Sequence, residues 1–453
     1  MAEKLMKGKE VKEKWDSQTV HVTYQTENLS TEERIMGAIM GVFVGDALGS
    51  NCIWNYNIGD LWNDHGTWIT DYVDPVENNS QCNDATVNPH KNFGRIVKYK
   101  AQFGCKKGWN SQTGQLIQVL LEVVTKNIKD GGNAAFIEAE YHQAINNFFE
   151  NELLPKAKLE DGSGEYTPGS AFSMPLGDIH PLSGRYTNSE VRKSFNTWYN
   201  GGKKDGEWWK TPTDSNTTDV AQMCIILAAA YRDPKEVFDK VHKLVNMWYS
   251  DAYTISNTIM YAMTVHSMIN GVPLDLFEPY ITELIEEQLQ AFTIKNSVHG
   301  FDDIRSTYIY LDLIRKPQVF NLQDDRFAGM VWGPDCMITH IIPCVYYLSF
   351  KYANDFESGV LYAANGNGNN MARAALTGGL IGAMTGINGI PGRFIDGLET
   401  GKGMVPEDYA SQSEYLMNLV RRVAKGTNGE IPTLETEIFG GIGCMNYTPE
   451  EIK

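Results

Sequence analysis

Apolar residues recur along this chain at spacings of three and four, and seldom at two, so the pattern predicts helices. Ser30-Thr31-Glu32-Glu33 sets a hydroxyl ahead of two acids. That order satisfies free amides and complements the helix dipole, so a helix opens there. It runs over Arg34–Gly49, RIMGAIMGVFVGDALG, with Gly37, Gly41, Gly45 and Gly49 at every fourth residue. This spacing puts the glycines on one face, where a second helix can approach closely. Leu116–Val124 and Ala134–Glu150 resume the helical pattern. Asp219–Tyr231, Pro234–Trp248, Thr254–Asn270 and Asp275–Thr293 read as successive helices, with turns at Asp233-Pro234 and Gly271-Val272-Pro273. Asp302–Leu313 and Met337–Tyr352 continue the series. Residues 58–110 and Gly162–Thr213 are irregular in Gly, Asn, Pro and Trp and read as loop regions. No Pro/Gly/Ser linker divides the chain. The expectation is one all-α domain over residues 31–424, with a polar extension at 1–30 and a polar tail at 425–453.

The densest stretch runs from Trp332 to Leu398. A helical apolar run leads into Gly366-Asn367-Gly368-Asn369-Asn370, then a small-residue helix and an Ile390-Pro391 exit. The loop carries no charge, whereas a hard metal would call for carboxylates. A dinucleotide fingerprint fails here, because its third glycine is Met371 and no βαβ pattern surrounds it. Free amides at the start of the Met371 helix could still hold an anion such as phosphate. Cys336 and His340 stand one helical turn apart, but no further partner marks a nucleophile. They read as a buried thiol and a helix histidine.

The chain has 453 residues, 42% of them apolar and 11% aromatic, so a sizeable core is expected. A net charge of −17 argues against nucleic-acid partners and anionic membranes. Apolar runs break well before membrane-spanning length. The seven cysteines form no CxxC or Cys/His zinc spacing, which fits reduced thiols in an intracellular compartment. The charged start MAEKLMKGKEVKEKWD lacks the apolar core of a signal peptide. A cytoplasmic location is expected, a cytoskeletal or ciliary assembly being one setting that would suit it.

Four segments, in order, resemble the ADP-ribosylglycohydrolase family, in particular its branch of J1 crystallins and selenoprotein J. In Gly37–Asn57 the matches are Asp46, Ala47, Trp54 and Tyr56, with Asn57 where the branch has an acid. In Thr113–Val124 they are Gly114, Leu120, Leu121 and Glu122, with Gln115 in place of an aspartate. In Asn216–Pro234 an acid-bearing turn precedes a helix, with Asp219 as the acid. In the last, Gly368, Asn370, Arg373, Ala374, Gly378, Gly382, Gly386, Gly389, Ile390 and Pro391 match, and Asn369 replaces an aspartate. Trp332-Gly333 and Cys336 resemble a further family element.

The resemblance implies a compact multi-helix orthogonal bundle. It also implies an ancestral pocket made by Asp46, Trp54, Tyr56, Asn57, Gly114, Gln115, Gly368, Asn369, Asn370 and Arg373. Family enzymes are similar in using paired magnesium ions to orient ADP-ribose and place water. Here the metal positions map to Gln115 and Asn369, where each swap keeps a carbonyl oxygen but removes a charge. The expectation is a catalytically degenerate relative, with no cofactor, in a structural or ligand-binding role. The enzymatic alternative is a magnesium-dependent hydrolase whose ion is held by other acids, with Asp46, Asp219, Asp302 and Asp303 as candidates. The third reading is a metal-independent sensor of ADP-ribose or a nucleotide. Protein partners are expected at the N-terminal arm and the tail, with Trp208-Trp209 as a candidate exposed anchor.

Overall fold

Ser30 opens the first helix as its sequence predicts. Its hydroxyl accepts from the Glu33 amide at 3.2 Å, and the Glu33 carboxylate accepts from the Ser30 amide at 2.9 Å. The computed structural model describes residues 29–80, 100–101, 104–126, 128, 133–154, 185, 187–202, 206–274, 277–284, 321–399 and 405–426. Most of the N-terminal extension and of the tail lie outside these residues. So do Asp302, Asp303, the helix expected at 302–313, Cys82 and Cys444.

The helices in chain order begin with α1 (Thr31–Ser50), α2 (Ile58–His65), α3 (Gln112–Thr125), α4 (Glu138–Phe148) and α5 (Ser189–Asn200). Next come α6 (Asp219–Ala230), α7 (Pro234–Trp248), α8 (Ala252–Ile269), α9 (Phe277–Glu283) and α10 (Ala328–Trp332). The series ends with α11 (Ile338–Lys351), α12 (Phe356–Ala364), α13 (Asn370–Thr385), α14 (Gly392–Asp396) and α15 (Gln412–Gly426). Among the described residues there is no strand, only isolated bridges such as Asn55 with Gly368. The fold is all-α.

The axis of the molecule is the antiparallel crossing of α1 and α13. A Cβ on Gly37 would lie 2.1 Å from Gly382 O, one on Gly41 2.1 Å from Gly378 O, and one on Gly45 2.0 Å from Ala374 O. Backbone therefore rests on backbone, which is why every fourth residue of α1 lacks a side chain. α1 and α13 are buried nearly all round. α8, α11 and α12 pack on α13, while α15 packs on α1 and α3 and α6 lies against α7 and α8. The buried Arg34 guanidinium donates to Ala383 O at 3.1 Å and Met268 O at 3.3 Å, tying α1 to the ends of α13 and α8.

Two helices fall where loops were expected, α2 within 58–110 and α5 within 162–213. α5 buries Val191, Phe195 and Trp198, spaced four and three apart, against the core. Trp208 is not an exposed anchor: it is fully buried, its ring 4.6 Å from that of Trp248. Trp209 is partly buried and stacks on His142 at 3.8 Å. The pair serves packing. No helix among the described residues is long and apolar enough to cross a membrane.

Candidate functional site

The α1–α13 crossing delivers three sequence segments to one end of the molecule. The chain leaving α1 meets the loop before α13 through two bonds: Trp54 N donates to Gly368 O, and Gly368 N donates to Asn55 O, both at 2.8 Å. Gly368 stands at φ 72°, and a Cβ there would sit 1.8 Å from Pro334 O, so only glycine fits. Trp54 itself holds φ 69°, a left-handed backbone that non-glycine residues rarely adopt.

The amide residues of the loop hold backbone. Asn369 caps α13, its Oδ1 accepting from the Ala372 amide at 3.4 Å. Asn370 Nδ2 donates to Ala364 O at 2.6 Å, with Cys52 Sγ at 3.3 Å. The buried Arg373 donates to Asn367 O at 2.7 Å and Ala363 O at 3.3 Å. Asn367 Nδ2 in turn donates to Tyr56 O at 2.9 Å. Asn57 is exposed and caps α2, accepting from the Gly59 amide at 2.9 Å. These side chains fix the loop and the helix starts.

The second motif begins at the N-terminus of α3. Asp46, fully buried on α1, accepts from Ser111 N at 2.7 Å, Ser111 Oγ at 2.5 Å and Asn110 Nδ2 at 3.0 Å. Burial pushes its carboxyl up, while these bonds pull it down. Gly114 is small because a Cβ there would lie 2.6 Å from Asp46 Oδ2. Gln115 is buried one turn into α3, its Oε1 without a hydrogen bond.

A cleft of about 380 Å³, its mouth included, lies where these segments meet. Ser50, Trp54, Trp109, Gln112, Thr113 and Met371 are among the residues that line it. Neither Asn57, Gln115, Asn369 nor Asn370 is in its wall. Two cations that sequence reasoning missed complete the lining, Lys100 and Arg185. Lys100 is 5% exposed; its ammonium donates to Ser50 O and lies 5.2 Å from the Trp54 ring centre. Burial lowers its pKa to about 8. Arg185 is 6% exposed, donates to Asn110 O at 2.8 Å and lies 4.5 Å from the Trp109 ring centre. No motif around either residue announces it.

Beside the cleft, Asp219 and Glu190 form a buried carboxyl pair. Thr113 Oγ1 donates to Asp219 Oδ1 at 2.6 Å, and Thr217 Oγ1 lies 2.8 Å from Glu190 Oε1 and 2.9 Å from Asp219 Oδ2. Ser189 and Asn188 add donors. Burial and the neighbouring charge push the Asp219 carboxyl well above the carboxylate range. Burial opposes ionisation of Glu190 too, but its hydrogen bonds from Asp219, Thr217 and Ser189 outweigh that and lower it. Glu190 was also missed by sequence reasoning. Burial and nearby acids push the Cys336 thiol up to about 12, which disfavours its thiolate. His340 Nδ1 lies 2.7 Å from Asp335.

These residues do not fit magnesium. The ion wants several anionic oxygens in a near-octahedral shell. Among the described residues no group of three or more His, Cys, Asp or Glu converges to hold one. Asp46 is committed to the start of α3, and the cleft is walled by two tryptophans, Ile53 and Met371 together with amides, hydroxyls and two cations, none of them a carboxylate.

An all-helical bundle, crossed through glycines and with a cleft at a helix N-terminus, is the class these features define. The chain matches the ADP-ribosylglycohydrolase model over residues 27–430 and belongs to that family. A solved structure titled "ADP-ribosylglycohydrolase-related protein complex" is similar at a TM-score of 0.49 and 13% identity, covering 88% of this chain and 99% of that one. No curated protein matches.

Proposed function

We propose that this chain is a catalytically degenerate member of its family, a structural component of an assembly in the manner of the J1-crystallin branch. The observation that carries this reading is the lining of the cleft. A lysine and an arginine stand among amides and hydroxyls where paired magnesium would need carboxylates. Without that anionic shell no Lewis acid is held at the diphosphate and no metal-bound water is generated. Room within the cleft for the centre of a water molecule amounts to about 20 Å³, so it is nearly filled by its own side chains. A closed cleft suits a scaffold better than an ADP-ribose sensor. Segments 1–30 and 425–453 are the surfaces proposed for protein partners in an intracellular, cytoplasmic assembly, cytoskeletal or ciliary among the options.

Calorimetry with ADP-ribose, with and without magnesium, tests the reading beside an assay for ADP-ribose release. Neither magnesium-dependent binding nor turnover is expected. Magnesium-dependent binding would overturn it in favour of a hydrolase with an unrecognised metal site. Tight binding indifferent to magnesium would overturn the purely structural role in favour of a sensor.

A further inference from the structure

A second groove lies further along α3, between that helix, α4 and α15. α4 returns along α3 and is tied to its end: Ala135 N donates to Val124 O at 3.2 Å, and Lys126 meets Glu140 at 3.0 Å. Beyond that tie the helices leave about 420 Å³ of room for the centres of water molecules, against about 20 Å³ in the cleft. Cavities that take up ligands run from about 300 to 1,000 Å³. α4 ends in a single π turn, Phe149–Leu153, a rare widening of the helix that recurs at functional sites. This turn places Glu152 in the groove wall.

The charge of the lining has one sign. Glu122 and Glu152 stand in it, with no lysine, arginine or histidine. Glu122 is fixed: its Oε1 accepts from Gln118 Nε2 at 2.8 Å and from the Tyr415 hydroxyl at 2.9 Å. Both of these donors are neutral, so they orient the carboxylate without cancelling its charge. Val119, Ala144 and Phe148 supply an apolar wall beside it. A hydrated metal ion would leave that wall unused. A neutral apolar ligand would bury carboxylates without a counter-charge. A lysine or arginine side chain fits both halves, an aliphatic stem with a cationic head. We propose that this groove is a docking site for a partner protein, which inserts a lysine or arginine side chain toward Glu122 and Glu152 with its stem on Val119 and Phe148. The net charge of −17 would steer such a basic partner to the chain. The groove shares no residue with the cleft, so the inference is independent of the metal-free reading.

The test is fluorescence anisotropy of the full chain with a labelled hexapeptide of alternating leucine and arginine. The control peptide carries citrulline for arginine, which keeps the shape and removes the charge. Saturable binding of the arginine peptide is expected, weakened about tenfold or more by Glu152→Gln, as for loss of a charge-assisted bond. Ala144→Phe fills the groove while keeping both carboxylates, and should abolish binding. Glu207→Gln removes an exposed carboxylate outside the groove and should leave affinity unchanged. A lysine version of the peptide, coupled to the native protein with a carbodiimide, should be joined to Glu122 or Glu152, read by mass spectrometry. That measurement needs no variant to fold. Absence of saturable binding, equal affinity for the citrulline peptide, equal weakening by E207Q, or coupling spread over carboxylates outside the groove would each overturn the inference.

Discussion

Gly45→Ala tests the architecture at its tightest point. The added methyl carbon would sit 2.0 Å from Ala374 O, 2.4 Å from Ala374 C and 2.7 Å from Ala375 Cα. Ordinary contact begins near 3.4 Å, so the shortfall is 3.4 − 2.0 = 1.4 Å. All three atoms are backbone of α13, and no flexible side chain can swing aside. Relief requires α1 and α13 to part locally. A gap of about 0.5–1 Å already forfeits a quarter to a half of a dispersion contact, and this crossing has matching close approaches at Gly37, Gly41 and Gly49. Overpacking typically costs about 1–3 kcal/mol, and rigid backbone on both sides places this case at ~3 kcal/mol or above. Alanine's higher helix propensity returns at most about 1 kcal/mol. The expected net loss is therefore about 2 kcal/mol or more. The control is Gly392→Ala, whose Cβ would meet nothing within 4 Å. It should lie within about 1 kcal/mol of the native protein. Urea unfolding read by circular dichroism gives the midpoints, compared at constant slope. If G45A unfolded at the native midpoint, the helices would not cross at backbone distance and the crossing described above would be wrong.

Gly114→Ala drives a methyl group to 2.6 Å from Asp46 Oδ2 and should disrupt the cap of α3, at a cost of about 1–2 kcal/mol. In a double-mutant cycle with Asp46→Ser the two losses should add to less than their sum, because both act on one contact. Asp219 is raised in the folded state, so its contribution to stability is complete below the unfolded pKa of about 3.9 and is lost as pH climbs toward the folded value. Asp219→Asn should remove that decline, giving midpoints that fall less between pH 4.5 and 7.5 than those of the native chain. His266 has the opposite sign. Its Nδ1 lies 3.1 Å from Ala228 O, Asn270 donates to its Nε2 at 2.8 Å, and burial lowers its pKa to about 4. Stability should fall as pH drops from about 6.5 toward 4, by up to ~1.4 kcal/mol per unit. His266→Gln should blunt the fall; an unchanged acid limb would sink the assignment.

What could be read from sequence was whatever has a local signature. The Ser30 capping box, the four-residue glycine period of α1 and the Asp233-Pro234 start of α7 each depend on near neighbours, and α7 begins and ends as its pattern predicts. The close approach of α1 was legible because glycine spacing reports it; its partner α13 was a second small-residue run. α2 was hidden by brevity and by Asn and Asp, which suit caps as well as helices. α5 carried the apolar spacing of Val191, Phe195 and Trp198, but it lies in a stretch of irregular Gly, Pro, Trp and Lys that reads as loop. The cleft was harder. Asp46, Trp54 and Gly368 were legible as motif residues; of the three, Trp54 stands in the cleft wall. Lys100, Arg185 and Glu190 reach the same region by long-range folding from stretches without a pattern, and nothing local distinguishes them from other charged residues.

The two kinds of residue belong to one physical account. In the family's chemistry, carboxylates hold metal ions and the ions present positive charge to a ligand. If the family's metal carboxylates are exchanged here for Gln115 and Asn369, as proposed above, the reason for a metal to stay is gone while a helix N-terminus remains in the cleft wall. A buried lysine is costly unless something offsets its charge. Here Ser50 O, the Trp54 face and the carboxylate of Asp46 do part of that, and the depressed pKa of Lys100 reports that the compensation is incomplete. Positive charge thus persists in the cleft while Lewis acidity does not. On the reading proposed above, such a site would lack a metal-bound water to set against a glycosidic carbon. Restoring activity would then take more than returning single acids. Asn369→Asp alone would place a carboxylate at the cap of α13, where the helix dipole satisfies it. It should raise stability slightly and leave both magnesium affinity and ADP-ribose release at background.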